Sequence, residues 1–376
     1  MMRIGIEVRA LSRLNSGIGN LTYNVVKNLL EIDQENQYFL YTCRDFDQSF
    51  LKGFPNVKIK KFAFPNGTLW IQAILPFQIA KDRIDVFHSH ESMLPLLNWI
   101  PSVATVNDLI SFLYPKGHDP KALKAARLYP LIYKKAKKLI AISQNTKEDL
   151  IKLFRIPADK IRVVYCSFND GIFSPIGETA AVLNKYQIHK PYVLNVGVLS
   201  PRKNIVRLIE AYNIARKKFD VSLVIVGPKG WGYEEIYEKV KELNLDDKVK
   251  FVGSVAEEDL PALYRGASLF VYPSLYEGFG IPPLEAMACG TPVIASNTSS
   301  LPEVVGNAGI LVDPNNVAKL ADAMVKVISN GDLAKEYASK GLERVKEFSW
   351  KKSAKEILDV YKEVCVAYPD RCKNDF

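Results

Sequence analysis

Apolar residues are spaced along this chain in two alternating rhythms. Short runs rich in β-branched and aromatic side chains, such as IGIEV and SLVIVG, are separated by longer stretches whose apolar positions recur every three to four residues. The runs predict strands, the stretches predict helices, and their alternation predicts parallel sheets covered on both faces. Strands are expected at 4–8, 38–43, 57–64, 86–90, 102–106, 139–143 and 161–166, then at 192–197, 222–227, 248–253, 268–274, 292–296 and 309–313, with only helical pattern beyond. Between the two series lies SFNDGIFSPIGETA (167–180), where turn formers cluster and periodicity vanishes. The expected fold class is therefore α/β, with two doubly wound, Rossmann-like domains, 1–172 and 173–355, facing each other across a cleft.

Open parallel sheets bind ligands beyond the carboxyl ends of their strands, so strand-to-helix loops are where chemistry is sought. Three stand out. In RALSRLNSGIGNLT (9–22), Gly17 and Gly19 let backbone amides approach a phosphate, although the loop lacks the third glycine of a dinucleotide fingerprint and by itself also reads as a tight turn. In GVLSPRKNI (197–205), Gly197 precedes Arg202 and Lys203 at the start of a helix whose expected cap is Asn204, a placement suited to a diphosphate. In EGFGIPPLE (277–285), Pro282 and Pro283 suit a helix's first turn, which puts Glu285 in the opening turn and Glu277 on the loop before it. With an anion at that helix start, Glu285 turns toward a ribose diol and Glu277 toward other hydroxyls, with the backbone of Phe279, Gly280 and Ile281 between them.

The first domain offers VFHSHES, with His88, His90 and Glu91, and ATVND, with Asn107 and Asp108. Two histidines one residue apart without a third ligand nearby predict no metal site; His88 reads as structural and His90 lies closer to the strand end. Charge separates the halves: residues 1–175 hold 24 Lys and Arg against 15 Asp and Glu, whereas 176–376 hold 26 of each, which accounts for the net +9. The densest basic run, KALKAARLYPLIYKKAKKL (121–139), has no acidic residue and reads either as a solvated helical face broken near Pro130 or as a patch for an anionic surface. No helix-turn-helix, RNA-binding or zinc pattern accompanies it, so no nucleic-acid partner is expected. Five scattered cysteines predict buried thiols. The start shows no charged leader and no apolar stretch reaches eighteen residues, so a cytoplasmic protein is expected.

Taken together, SGIGNLTY, SPRKN and especially EGFGIPPLEAMACGTPVIASNTSSLPEVVGNAGILVDP resemble glycosyltransferase family 4, retaining enzymes of the GT-B fold that use nucleotide-diphosphate sugars. The resemblance implies that Arg202 and Lys203 hold the diphosphate, with Gly17 closing on it. It implies that Glu285 takes the ribose, that Glu277 and the Phe279 to Ile281 backbone hold the sugar, and that Val255, in GSV, contacts the nucleobase. It implies no metal cofactor, and a last helix, 356–376, that packs back on the first domain. Asn107 stands where many members carry histidine; a role of the main-chain carbonyl is preserved by Asn107, whereas a role of the imidazole is lost or moves to His90, and His90, Glu91 and Asp108 fall on the acceptor side. The wording of the last block is most similar to mannosyltransferases of surface polysaccharides, which implies GDP-mannose as donor, with UDP-glucose behind it. The implied partners are a nucleotide-sugar donor, a glycan or lipid-linked acceptor, and an anionic membrane touched peripherally.

Overall fold

The computed structural model describes all residues except Asn15, Asn98, 116–122, Ala125 and 367–376. The expectations for Lys121, His118, Cys372 and the end of the last helix lie outside the described residues. The chain divides into two compact units, one of Met1–Ser111, Asp119–Cys166 and Ser349–Phe376, the other of Phe112–His118 and Ser167–Phe348.

The first unit is built on a seven-stranded parallel sheet of β1 (Arg3–Glu7), β2 (Gln37–Thr42), β3 (Val57–Lys61), β4 (Val86–Ser89), β5 (Ser102–Val106), β6 (Lys138–Ala141) and β7 (Ile161–Val163). Its order is β3-β2-β1-β4-β5-β6-β7. Central strands such as β5 are buried along their whole length, as a sheet covered on both faces requires. The last helix, Trp350–Val366, belongs to this unit: Tyr361 lies 2.6 Å from His88 Nδ1, and Ser353 donates to the Tyr165 carbonyl at 2.6 Å. The run 121–139 is not one helix. A helix starts afresh at Tyr129–Lys135 with Pro130 in its first turn, where a missing N–H costs no hydrogen bond.

The second unit holds β8 (Tyr192–Val196), β9 (Ser222–Val226), β10 (Val249–Gly253), β11 (Leu269–Tyr272), β12 (Val293–Ser296) and β13 (Ile310–Val312), all parallel, in the order β10-β9-β8-β11-β12-β13. Leu269 and Val271 of β11 face a core shared with Leu208, Ile209 and Met324, while the alternate positions Phe270 and Tyr272 carry the other face. Both sheets are Rossmann-like, and every strand read from the pattern forms within a few residues of its expected place.

Candidate active site

In each sheet the chain reverses direction beside its first strand, and such a switch point leaves a crevice at the strand ends. In the second unit this point is flanked by the loops that follow β8 and β11. The loop after β8 ends in a tight turn, Pro201–Lys203, and the loop after β11 carries Glu277. They meet: Lys203 Nζ lies 2.6 Å from Glu277 Oε1 and Arg202 Nη1 lies 2.7 Å from Oε2. Lys203 also donates to the Tyr272 hydroxyl at 2.5 Å, and Arg202 to the Tyr276 carbonyl at 2.7 Å. Burial opposes the charge on Glu277, yet Lys203 and then Arg202 outweigh it and bring its pKa down to about 2. Two cations against one carboxylate leave this corner with surplus positive charge.

Asn204 occupies the helix start but does not cap it. It adopts a left-handed conformation, φ 59° and ψ 32°, which asparagine tolerates, and its amide donates to the carbonyls of Pro273 and Pro314 at 3.0 and 2.7 Å. The expected cap is instead a staple that ties the Arg-Lys turn to the neighbouring loops.

Gly280 stands at φ 123°, and a Cβ there would lie 2.7 Å from Leu301, so a glycine is required before the helix Ile281–Ala288. Glu285 is consequently the fifth helical residue, just past the opening turn in which the proline pattern placed it. Its Oε2 accepts from the Tyr264 hydroxyl at 2.8 Å; burial raises its pKa to about 7, against the downward pull of that hydrogen bond. The loop 277–280 is fixed by Ser299 and Ser300, which respectively accept from the Glu277 N–H at 3.0 Å and donate to the carbonyls of Glu277 and Phe279 at 3.0 and 2.5 Å. Val255 is half-buried in the turn after β10.

At the switch point of the first unit, Glu7 at the end of β1 pairs with Arg9 at 2.6 Å, Arg9 with Glu91 at 2.6 Å, and Glu91 with Arg13 at 2.5 Å. Glu91 therefore anchors the loop leading to the glycines. Ser16 caps the helix Gly17–Ile32 by accepting from Gly19 N–H at 3.1 Å. A Cβ on Gly19 would lie 2.1 Å from the Arg13 carbonyl oxygen, whereas one on Gly17 would meet nothing within 4 Å.

His88 is buried between Tyr361 and Thr105, at 2.6 and 2.8 Å. His90 is also buried, neither of its ring nitrogens has a partner, and desolvation lowers its pKa to about 3. The Asn107 amide donates to the His90 carbonyl at 2.9 Å, and Asp108 accepts from Ile110 N–H at 3.0 Å. Among the described residues no three His, Cys, Asp or Glu side chains group as a metal site. Sequence reasoning missed Glu7, Tyr264 and Tyr272, which lie in strands or a helix and read as core, and Arg9, which opens a loop read only for its glycines; the acid closing the apolar strand IGIE gives the one signal.

The chain matches the Glycosyltransferase Family 4 model over residues 15–170 and the Glycosyl transferases group 1 model over 182–344. It is 35% identical over 268 residues to O-antigen chain mannosyltransferase B of Escherichia coli, covering 69% of this chain and 70% of that protein. Among solved structures, sucrose-phosphate synthase from Thermosynechococcus elongatus superposes with a TM-score of 0.78 at 22% identity, over 98% of this chain and 100% of that one. Anabaena Alr3699/HepE in complex with UDP and glucose gives 0.76 at 20% identity, over 96% and 100%. The chain belongs to the family 4-like glycosyltransferases of the GT-B fold. It is a glycosyltransferase.

Proposed function

We propose that this enzyme transfers mannose from GDP-mannose to a glycan or lipid-linked glycan in the assembly of a surface polysaccharide, with retention of configuration and without a metal ion. The observation that carries the reading is the convergence of Arg202 and Lys203 on Glu277 at the β8/β11 switch point. Departure of a nucleoside diphosphate builds negative charge on a phosphate. Two preorganised cations stabilise that charge more as it grows, which is the differential binding catalysis needs. Glu277 is a poor candidate for a covalent nucleophile, since two cations already engage its oxygens. Front-face attack suits retention better, with the leaving phosphate taking the acceptor's proton and Glu277 holding sugar hydroxyls. In this reading Glu285 holds the ribose, Val255 the base, and Asn107, His90, Glu91 and Asp108 serve the acceptor.

Mannose as the transferred sugar is supported by the name of the Escherichia coli relative. A UDP-sugar donor is the second reading, favoured by the UDP seen with a fold neighbour. Thermal unfolding with GDP-mannose, UDP-glucose, UDP-N-acetylglucosamine and ADP-glucose decides between them. A donor at a hundred times its dissociation constant adds about 2.7 kcal/mol. Stabilisation by GDP-mannose alone supports the proposal, stabilisation by a UDP-sugar alone transfers it to the second reading, and no response from any donor overturns both.

A further inference from the structure

Three aromatic rings link the two glutamates of the EGFGIPPLE segment. Phe270 and Tyr272 share one face of β11, with ring centroids 5.8 Å apart at 21°, and Tyr264 meets Phe270 edge-on at 5.3 Å. All three side chains are buried. Each end of this ladder carries a hydroxyl, and each hydroxyl meets one of the glutamate sites. Tyr264 donates to Glu285 Oε2 at 2.8 Å, and Tyr272 accepts from Lys203 Nζ at 2.5 Å while Lys203 bridges to Glu277 at 2.6 Å. The Lys203 ammonium also sits over the Tyr272 ring, 4.8 Å from its centroid.

We propose that Tyr264 and Tyr272 are positioning residues: Tyr264 presents the free oxygen of Glu285 to a ribose diol, and Tyr272 fixes the Lys203 ammonium where a diphosphate is held. The inference rests on the reading of this unit as a nucleotide-sugar site and adds how its Glu285 carboxylate and Lys203 ammonium are aimed. A carboxylate free to rotate offers its lone pairs in many directions. One oxygen occupied by a phenol leaves the other pointing a single way. Lys203 has four rotatable bonds, and the phenol oxygen and ring face together remove most of that freedom. The ladder sets both from one rigid strand, so a base-bearing ribose and a diphosphate are met by groups in fixed register.

The carboxyl of Glu285 faces Tyr264 and, more distantly, Glu257 and the Cys289 thiol. Its ionised form is the better acceptor for two hydroxyls, so nucleotide affinity rises as pH increases through about 7. Loss of the Tyr264 hydroxyl removes a group that favours the ionised form, which moves that inflection to higher pH.

The test uses the full chain and whichever of GDP and UDP binds it, with the matching 2′,3′-dideoxy nucleotide. Tyr264→Phe is expected to weaken the ordinary nucleotide about tenfold, the loss of one hydrogen bond to a charged group, and to leave the dideoxy form unchanged. Tyr272→Phe is expected to weaken both nucleotides equally, since both carry the diphosphate. Phenylalanine keeps the ring stack, and unfolding midpoints check that each variant folds; if Tyr264→Phe does not, Glu285→Gln is read against the same two nucleotides. Equal losses on both nucleotides in Tyr264→Phe, or in that substitute, overturn the proposal, as does a pH inflection left in place by Tyr264→Phe. A wild-type chain that binds neither GDP nor UDP overturns the nucleotide-sugar reading itself, and this inference with it.

Discussion

Lys203 and Glu277 are both buried in the second unit, and each is tolerable there because of the other. Lys203→Ala is expected to lower turnover at least about a hundredfold, by removing a donor aimed at the growing phosphate charge. An unaffected turnover contradicts the mechanism. The same pair sets an acid limit on stability. The pKa of Glu277 is held at about 2 against an ordinary 4.5, so its contribution is fully present above 4.5 and is lost as pH falls toward 2. Glu285 has the opposite sign. With a folded pKa of about 7, its contribution is full below 4.5 and is lost as pH rises through 7, a swing of about 3 kcal/mol if the whole shift is realised. Urea midpoints of Glu285→Gln measured between pH 5 and 8 should therefore fall less with pH than those of the wild type. The two glycines of the first loop separate fold from function. Gly19→Ala collides with the Arg13 carbonyl and should lower the melting temperature by several degrees, whereas Gly17→Ala meets open space and should leave it unchanged. If Gly17→Ala also lowers turnover, its missing side chain serves a ligand rather than the fold.

Among the elements, the last helix shows how a segment remote in sequence completes a core. Tyr361 is fully buried, and its hydroxyl meets His88, whose other ring nitrogen meets Thr105. Tyr361→Phe leaves the His88 Nδ1 without a partner and should cost about 1–3 kcal/mol in urea unfolding. A loss well below that range means that a water takes over the hydroxyl's place. The Ser16 cap of the helix Gly17–Ile32 emerged only in the structure, whereas one helix start was legible because residue type forces it: Pro282 and Pro283 mark the helix that begins at Ile281. The role of Asn204 was not, because a cap and a left-handed staple draw on the same side chain and only its neighbours, the Pro273 and Pro314 carbonyls, choose between them.

For the whole molecule, the surplus of basic over acidic residues lies in residues 1–175, and most of the exposed large apolar side chains among the described residues lie in the same part of the chain. Phe77 and Trp99 are largely exposed and in ring contact at 6.5 Å; Leu97 and Leu131 are exposed as well, and Lys135 reaches the Leu96 carbonyl. Lysines beside exposed aromatics suit the headgroup boundary of an anionic bilayer, and a second copy of an equally basic surface suits it less. No helix among the described residues is long and apolar enough to cross a membrane. Lys138 already pairs with Glu363 at 2.6 Å, so replacing Lys134, Lys135 and Lys137 by glutamine should weaken binding to phosphatidylglycerol vesicles by about 1 kcal/mol per residue, with the remaining binding less sensitive to salt. Unchanged sedimentation with vesicles removes the anionic membrane from the expected partners.

The sequence by itself determined the two parallel-sheet units, the strand order along the chain, the glycine and proline positions that open the helices, and the resemblance that the family models bear out. Those follow from local rules: backbone sterics, side-chain periodicity, and residue types with few allowed conformations. Only the tertiary structure decided that Glu277 answers Arg202 and Lys203, that Glu91 holds Arg9 and Arg13, and that the core tyrosines Tyr264 and Tyr272 meet Glu285 and Lys203. These pairings join residues some twenty to eighty positions apart. The ion pairs exist because each sheet reverses beside β8 or β1, and that reversal is set by packing over the whole sheet, which no short stretch of sequence encodes.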